Sequence, residues 1–512
     1  MPSWAAMKVL PNVSQAAENT PEHRDRIVDA VRGVSLVVVV FGHLLLAVVY
    51  WPQDDPPRLG SLMLAYPWTQ VLTWILQVMP LFFAFGGAAN ARAWIRAKET
   101  HTPYSTWMWG RIQRLLRPVT IYLLVGAAAA WITSVIWGDM VAPLLGQLGV
   151  QLWFLGVYIV TTALLPGMLA WHQRSPAGPF LVLVPIVIVI NLGTTIAGWP
   201  LPVGIINVIL VWLLLQQLGF FWRSNPQDAQ PRRWAAVGCG CLALAVLLVA
   251  WGPWPVSLIG IPGDVVTFDS LSILGSTIAV PGFDGEYSNM FPPSIILLLQ
   301  GVALVSAIYV FQRPLSRLLH RSRVWWAVTG INMTAMSSYL WHVPAIMFTF
   351  VLLHAIGLDP PTEIGEAGYP VPISAGPYFV WFALALVVFV VLLAAFVSVL
   401  WSTEYRPLPW WDSPVRLSVF GAGALPRNII VAVGVIVLWL AFMILAIVGL
   451  RGFPTETRYW SGIPVNALWG VVGVFVGSAI VRLTSRPAQV PSATQESSPL
   501  RLSDGLRPRN RG

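Results

Sequence analysis

Charge is scarce in this chain. Only 10% of its 512 residues are Asp, Glu, Lys or Arg, whereas 56% are hydrophobic. A soluble domain carries roughly 25% charged residues. No water-soluble fold of this length could hide so much apolar surface, so the composition excludes one and makes the bilayer the solvent. Cysteine is nearly absent: Cys239 and Cys241 are the only two. They stand two residues apart in one apolar stretch, so a helix points them to nearly opposite sides. That excludes a disulfide framework and a metal-ligand spacing, and leaves the expectation of two buried hydrophobes. A phosphate-binding glycine loop, a dinucleotide fingerprint and a zinc motif are also missing, so no metal is expected. Residues 1–23 lack the apolar core of a signal peptide. The first apolar run, 34–50, has no small-residue cleavage site after it and reads as an uncleaved span.

What is present is a series of apolar runs of about 17–25 residues. They lie at 33–50, 69–91, 118–137, 150–170, 180–198, 203–221, 235–251, 291–311, 330–353, 376–400, 428–450 and 464–482. The expected fold is therefore an all-α polytopic membrane protein with about twelve spans and both termini on one side. No convincing internal repeat is visible. With the N-terminus in the cytoplasm, 27 of the 30 Lys and Arg fall in inner segments. The outer segments hold the other three, Arg58, Arg451 and Arg458. A missed span in the middle would destroy that asymmetry, so the positive-inside rule predicts a multi-pass cell-membrane protein with cytoplasmic N- and C-termini.

The formal charge of +9 is then membrane-surface charge, with the lipid bilayer as partner and no nucleic acid. The longest outer loop, about 252–290, carries Asp264, Asp269, Asp284 and Glu286 and no Lys or Arg. It reads as an ordered cap, and its acidity disfavours recognition of a strongly anionic polymer. The tail after about Arg486 is rich in Pro, Ser and Arg and is expected to be disordered.

Ionisable groups deep in a membrane helix are costly and default to function. Two histidines qualify. His43 lies eleven residues past Arg32, which a helix converts to roughly 16 Å above the inner boundary. His342 lies at similar depth in its own span. The blander reading of each is a neutral imidazole bonded to a neighbouring helix. His23, His101, His172, His320 and His354 sit at ends or in loops. The 27 Trp read mostly as interface and core aromatics. Gly86, Gly87, Ala88 and Ala89 read as a close helix contact, and Phe82 and Phe83 as packing.

From Arg24 to His43 the text is R-D-R-I-V-D-A-V-R-G-V-S-L-V-V-V-V-F-G-H. Arg24, Asp29 and Arg32 cluster at the mouth of the first span. Composition alone would make them a positive-inside anchor with a local ion pair. The pattern, however, resembles the opening of the acyltransferase-3 family of integral membrane O-acyltransferases. In that family an Arg is followed by an Asp five residues on, an Arg three further and a His eleven beyond that. Arg24, Asp29, Arg32 and His43 match all four positions.

Other segments agree with the resemblance. Pro80-Leu81-Phe82-Phe83 resembles the family's Pro-Leu-Phe-Phe segment. The family usually continues with Ser-Gly, whereas this chain has Phe85-Gly86-Gly87, so no serine role carries over. Arg111, Arg114 and Arg117-Pro118 resemble its Arg-x-x-Arg stretch. Leu152-Trp153-Phe154-Leu155 and Tyr339-Leu340-Trp341-His342 resemble two further segments.

The resemblance implies transfer of an acyl group, usually acetyl, from acyl-CoA to a hydroxyl of an envelope glycan or glycolipid. No permanently bound cofactor is implied; acyl-CoA is the donor substrate. His43, with Asp29 and Arg32, is the implied catalytic group. Arg24, Arg111, Arg114 and Arg117 suit the coenzyme's phosphates, because guanidinium offers forked, permanently charged donors. Trp153, Tyr339 and His342 are candidates to line the substrate or support His43. His43 suits either a general base or an acyl carrier. Asp29, roughly 21 Å away along the helix, is too far to orient it directly.

The family core has about ten helices. The implied division is an N-terminal segment 1–23, a membrane domain 24–400, two additional spans within 401–482 and a tail 483–512. A transporter or flippase for a lipid-linked sugar is the rival reading, since midplane histidines suit that class too.

Overall fold

The computed structural model describes residues 13–21, 24–225, 227, 230–259, 271–273, 276–278, 288–365, 368–401, 424–460 and 463–484. Most of the expected outer cap and the whole tail beyond Thr484 lie outside the described residues, as does His23.

Among the described residues, twelve long helices carry the fold. They are α1 (Arg26–Leu46), α2 (Met79–Glu99), α3 (Tyr104–Trp137), α4 (Trp153–Arg174), α5 (Gly178–Thr195) and α6 (Leu201–Leu218). Then come α7 (Pro231–Trp251), α8 (Ile295–Val310), α9 (Ala335–Ala355), α10 (Ala375–Leu400), α11 (Ala424–Val448) and α12 (Ala467–Thr484). Ten stretches are long and apolar enough to cross a membrane. One of them, Tyr104–Arg174, has 71 residues. At 1.5 Å per residue it would reach roughly 100 Å, about three hydrocarbon thicknesses. It holds two crossings, α3 and α4. A further candidate is α8, which meets the helix Gln312–Leu319 at a bend of 63°. The protein is thus an all-α polytopic membrane protein, and each of the twelve apolar runs meets one of these helices.

The boundaries differ from the expected ones for local reasons. The run 33–50 is helical only to Leu46. Its last four residues form strand β1 (Ala47–Tyr50), paired antiparallel with β2 (Arg58–Ser61). Val48, Val49 and Tyr50 are strand-favouring side chains that pack on a pleated surface. The run 69–91 is interrupted between Leu76 and Met79, and α2 begins with Pro80 in its first turn, where a missing N–H costs nothing. Helix α3 starts fourteen residues before the apolar run at 118. The gap at 92–117 between the second and third apolar runs therefore shrinks to a connection at 100–103, and Arg111, Arg114 and Arg117 stand on α3 itself. A hydropathy window misses those first turns because they carry arginine, a good helix former.

The bundle centre is α2, α6 and α9, whose spanning windows are 67%, 67% and 72% buried. Gly87 lets α2 and α6 touch: a Cβ there would stand 2.6 Å from the carbonyl oxygen of Gln216. Helices α7 and α10 lie at the periphery, only 11% buried. Cys239 and Cys241 are on α7, where Cys239 is exposed and Cys241 half-buried. The expectation of two buried cysteines is corrected: they belong to a helix whose main neighbour would be lipid.

Both ends are tied by hydrogen bonds. At the first, Arg26 donates to the carbonyl of Leu319 at 3.0 Å. At the far end, strands β3 (Thr362–Ile364) and β4 (Pro370–Pro372) pair and pack on the first hairpin. There the Thr362 hydroxyl donates to the Val49 carbonyl at 2.8 Å. A Cβ at Gly60 would stand 2.6 Å from the Pro370 carbonyl, so this approach requires glycine. The loop after α11 carries β5 (Arg458–Trp460), paired with β6 (Ile463–Val465).

Candidate active site

His43 occupies the last turn of α1 and His342 the first half of α9. The helices bring the two rings edge to edge in nearly parallel planes, with centroids 5.0 Å apart and planes 18° from parallel. Nδ1 of His43 lies 2.9 Å from Nε2 of His342. Nδ1 of His342 lies 2.6 Å from the carbonyl oxygen of Tyr339. A carbonyl only accepts, so Nδ1 of His342 carries its proton and, in the neutral ring, Nε2 is the acceptor. His43 then donates from Nδ1, which leaves its Nε2 with a free lone pair. Two imidazolium ions at this distance would repel, which favours the neutral pair. His342 is wholly buried. His43, by contrast, is exposed.

A buried polar network holds this pair. The Tyr339 hydroxyl donates to the Gln151 carbonyl. The Gln151 amide donates to the Tyr122 hydroxyl at 2.8 Å and approaches the Leu340 carbonyl at 3.4 Å. Tyr122 in turn donates to the carbonyl of Leu148 at 2.5 Å. Tyr122 and Gln151 escape a reading of the sequence, although a glutamine directly before the Leu152-Trp153-Phe154-Leu155 segment is a usable signal. Trp153 opens α4 and packs against Trp212, centroids 5.6 Å apart, rather than against His43.

The basic candidates divide into two groups. The guanidinium of Arg32 lies 5.0 Å from the ring centre of Phe82, and its buried Nε has no hydrogen-bond partner among the described residues. Phe82 thus supports a cation as well as packing. Arg111 lies 5.5 Å from the Trp107 ring centre. Arg32, Arg96 and Arg114 all stand close enough to repel it, with the Tyr158 phenol alongside. Such gathered like charge is a seat for an anion. Nothing in the sequence singles out Arg96. Arg117 is half-buried one turn further along α3. Arg24, by contrast, is neutralised by Asp29, with Nε 2.5 Å from the carboxylate, and is 53% exposed. Asp29 also accepts from Asn332 through its carbonyl at 3.1 Å. Both stand at the mouth of α1, fourteen or more residues below His43.

Asp25 is a further anchor at that mouth. Its carboxylate caps α1 through the Val28 N–H at 3.2 Å. It also accepts from Trp222 and Ser224, each at 2.6 Å, and from Arg92 at 3.3 Å. One side chain thereby fixes the start of the helix that carries His43. Among the described residues, no group of three or more His, Cys, Asp or Glu is placed to hold a metal ion.

The family profile described as an acyltransferase domain matches residues 25–399, more than half of the chain. The chain belongs to the acyltransferase-3 family. No curated protein and no solved structure matches it. The matched region of this membrane acyltransferase runs from Asp25 to the end of α10, so it contains the histidine pair and the Arg32–Arg111–Arg114 cluster, whereas α11 and α12 lie beyond it.

Proposed function

We propose that this acyltransferase moves an acyl group, acetyl in most of the family, from acyl-CoA to a hydroxyl of an envelope glycan or glycolipid, with His43 as general base. The observation that carries the reading is the hydrogen-bond chain from the Tyr339 carbonyl through His342 to His43. It leaves one ring nitrogen of the exposed His43, Nε2, unprotonated and outside the pair. Nε2 takes the proton of the acceptor hydroxyl as the oxygen attacks the thioester carbonyl. The carbon–sulfur bond then breaks. The coenzyme leaves as a thiolate and recovers the proton from His43, and the new bond is an oxygen ester.

The donor binds through its phosphates at Arg32, Arg111 and Arg114. Arg32 lies eleven residues before His43, roughly 16 Å along α1, and an extended pantetheine arm spans that gap. The distribution of the basic residues supports a cytoplasmic entry for the donor.

The test uses the purified full-length chain in nanodiscs, labelled acetyl-CoA and an extract of envelope glycans. Wild type should form base-labile labelled ester, and His43→Ala should form none while keeping its coenzyme A affinity. Ester formation by His43→Ala at the wild-type rate would end the assignment.

A further inference from the structure

Three arginines escape the basic end of the bundle, and they do not scatter. Arg58 on β2, Arg451 just past α11 and Arg458 on β5 line one open-sided cavity of about 420 Å³. The same cavity is walled by Gln147 and Val150, which follow α3, and by Tyr369 and Pro370 of the second hairpin. Among the described residues, Glu456 is the carboxylate that pairs with Arg451 and Arg458. It stands 3.5 Å from Arg451 and 3.5 Å from Arg458, longer than a good N–H···O bond. Among the described residues, one carboxylate shared between two of the guanidiniums that line the cavity, with Arg58 also lining it, leaves an excess of positive charge. The buried Nε of Arg451 has no hydrogen bond among the described residues. Gathering like charges costs free energy unless an anion offsets it.

We propose that this cavity binds a phosphate group carried by the acceptor. The inference rests on the acyl-transfer reading and gives that acceptor a chemical class. Guanidinium forks match phosphate oxygens, while Leu59, Tyr369 and Pro370 provide an apolar face for a sugar ring. The acidic loops disfavour a polyanion, but this cavity accommodates a single anionic group. Its place fits the chemistry. Val150 lines it, and the next residue, Gln151, receives the Tyr339 hydroxyl behind the histidine pair. Arg58 pairs in register with Tyr50, on the strand that leaves α1 four residues after His43. Arg451 and Arg458 both lie beyond the family match at 25–399. The two additional helices therefore bring two of the three cations to the acceptor side of the family core.

The experiment is calorimetry on the full chain in phosphatidylcholine nanodiscs, with glucose 1-phosphate, glucose and coenzyme A as probes. Wild type should bind glucose 1-phosphate and not glucose. Arg58→Gln and Arg458→Gln should each weaken that binding by about tenfold or more. Glu456→Gln, which removes the competing carboxylate, should strengthen it. Coenzyme A affinity should stay at the wild-type value in all three, which also reports that they are folded. If phosphatidylglycerol added to the nanodiscs competes with glucose 1-phosphate, the phosphate belongs to a lipid headgroup. If it does not, the phosphate belongs to a free glycan. Equal binding of glucose and glucose 1-phosphate would overturn the proposal, and so would arginine variants that bind as wild type or a Glu456→Gln variant that binds more weakly. Failure of wild type to bind coenzyme A would strike the donor reading instead and leave the cavity test standing.

Discussion

His43 and His342 are 299 positions apart in the chain, yet their ring nitrogens meet at 2.9 Å. The contact is directional because the second nitrogen of His342 is held by the Tyr339 carbonyl at 2.6 Å. His342 is thus a positioning residue: it selects the His43 tautomer whose Nε2 is free. His342→Ala should lower kcat about 10- to 100-fold, the scale of misplacing a reacting group by about an ångström. The acyl-CoA KM should not move, since His342 is far from the arginine cluster. His342→Gln keeps an amide oxygen able to accept from His43 Nδ1 and should recover part of the loss. A purely structural role predicts no such rescue, and equal kcat values for the two variants would remove His342 from the mechanism.

The arginines make separable predictions. Phosphate contacts are formed alike in ground and transition states, so their loss raises KM and spares kcat. Arg32→Ala or Arg111→Ala should raise the acyl-CoA KM by about 10- to 100-fold, matching about 1.5–3 kcal/mol for a charge-assisted bond. Arg24→Ala should change it little, because Arg24 is exposed and already paired with Asp29 at 2.5 Å. Initial rates over a range of acyl-CoA concentrations decide. A KM effect larger for Arg24 than for Arg111 would move the phosphate seat to the mouth of α1.

Asp25 predicts a stability effect away from the chemistry. Its side chain is 8% exposed and receives hydrogen bonds from Trp222, Ser224 and Arg92 while capping α1. Asp25→Ala should destabilise the protein by about 2–4 kcal/mol, since it strands a buried indole N–H and removes a cap. Thermal unfolding in detergent should show a clearly lower midpoint. An unchanged midpoint would mean that water replaces the carboxylate at no cost.

The sequence discloses what is local or repeated along one helix. Twelve apolar runs and the Arg24–His43 spacing are visible because hydropathy and a 3.6-residue period are properties of a single segment. The start of α3 at Tyr104 is not legible, because a span that enters the membrane with three arginines looks like a loop until Pro118. Strand β1 is hidden inside an apolar run. The approach of His342 to His43, the Tyr122–Gln151 support and the convergence of Arg58, Arg451 and Arg458 are tertiary facts. Each involves residues from separate helices or loops, and nothing in either segment alone names its partner. Asp25 is overshadowed by the better-spaced Asp29, although an Asp directly before a helix is a cap signal.

The geometry of the two ends sets the last prediction, which concerns the route of the acyl group. Helices α1 and α3 start at the end that holds Arg32, Arg111 and Arg114. The chain that follows each of them builds the opposite end, where Arg58, Gln147 and Arg451 line the cavity. His43 stands between. Coenzyme A should therefore enter from the cytoplasm and the acceptor should meet His43 from the outer side, so that the acyl group crosses while the coenzyme does not. Orientation comes first. With Cys239 and Cys241 replaced by Ala, Thr455→Cys should react with an impermeant thiol reagent added to whole cells. Glu99→Cys, beside the short connection between α2 and α3, should react only after permeabilisation. Both positions are exposed. The reverse pattern would invert the topology. Vesicles of known orientation then test the route, with acyl-CoA confined to the cytoplasmic side and the acceptor to the other. Ester should form on the outer acceptor. Product that appears only when both substrates share the cytoplasmic side would rule out the through-membrane path and confine the reaction to one face.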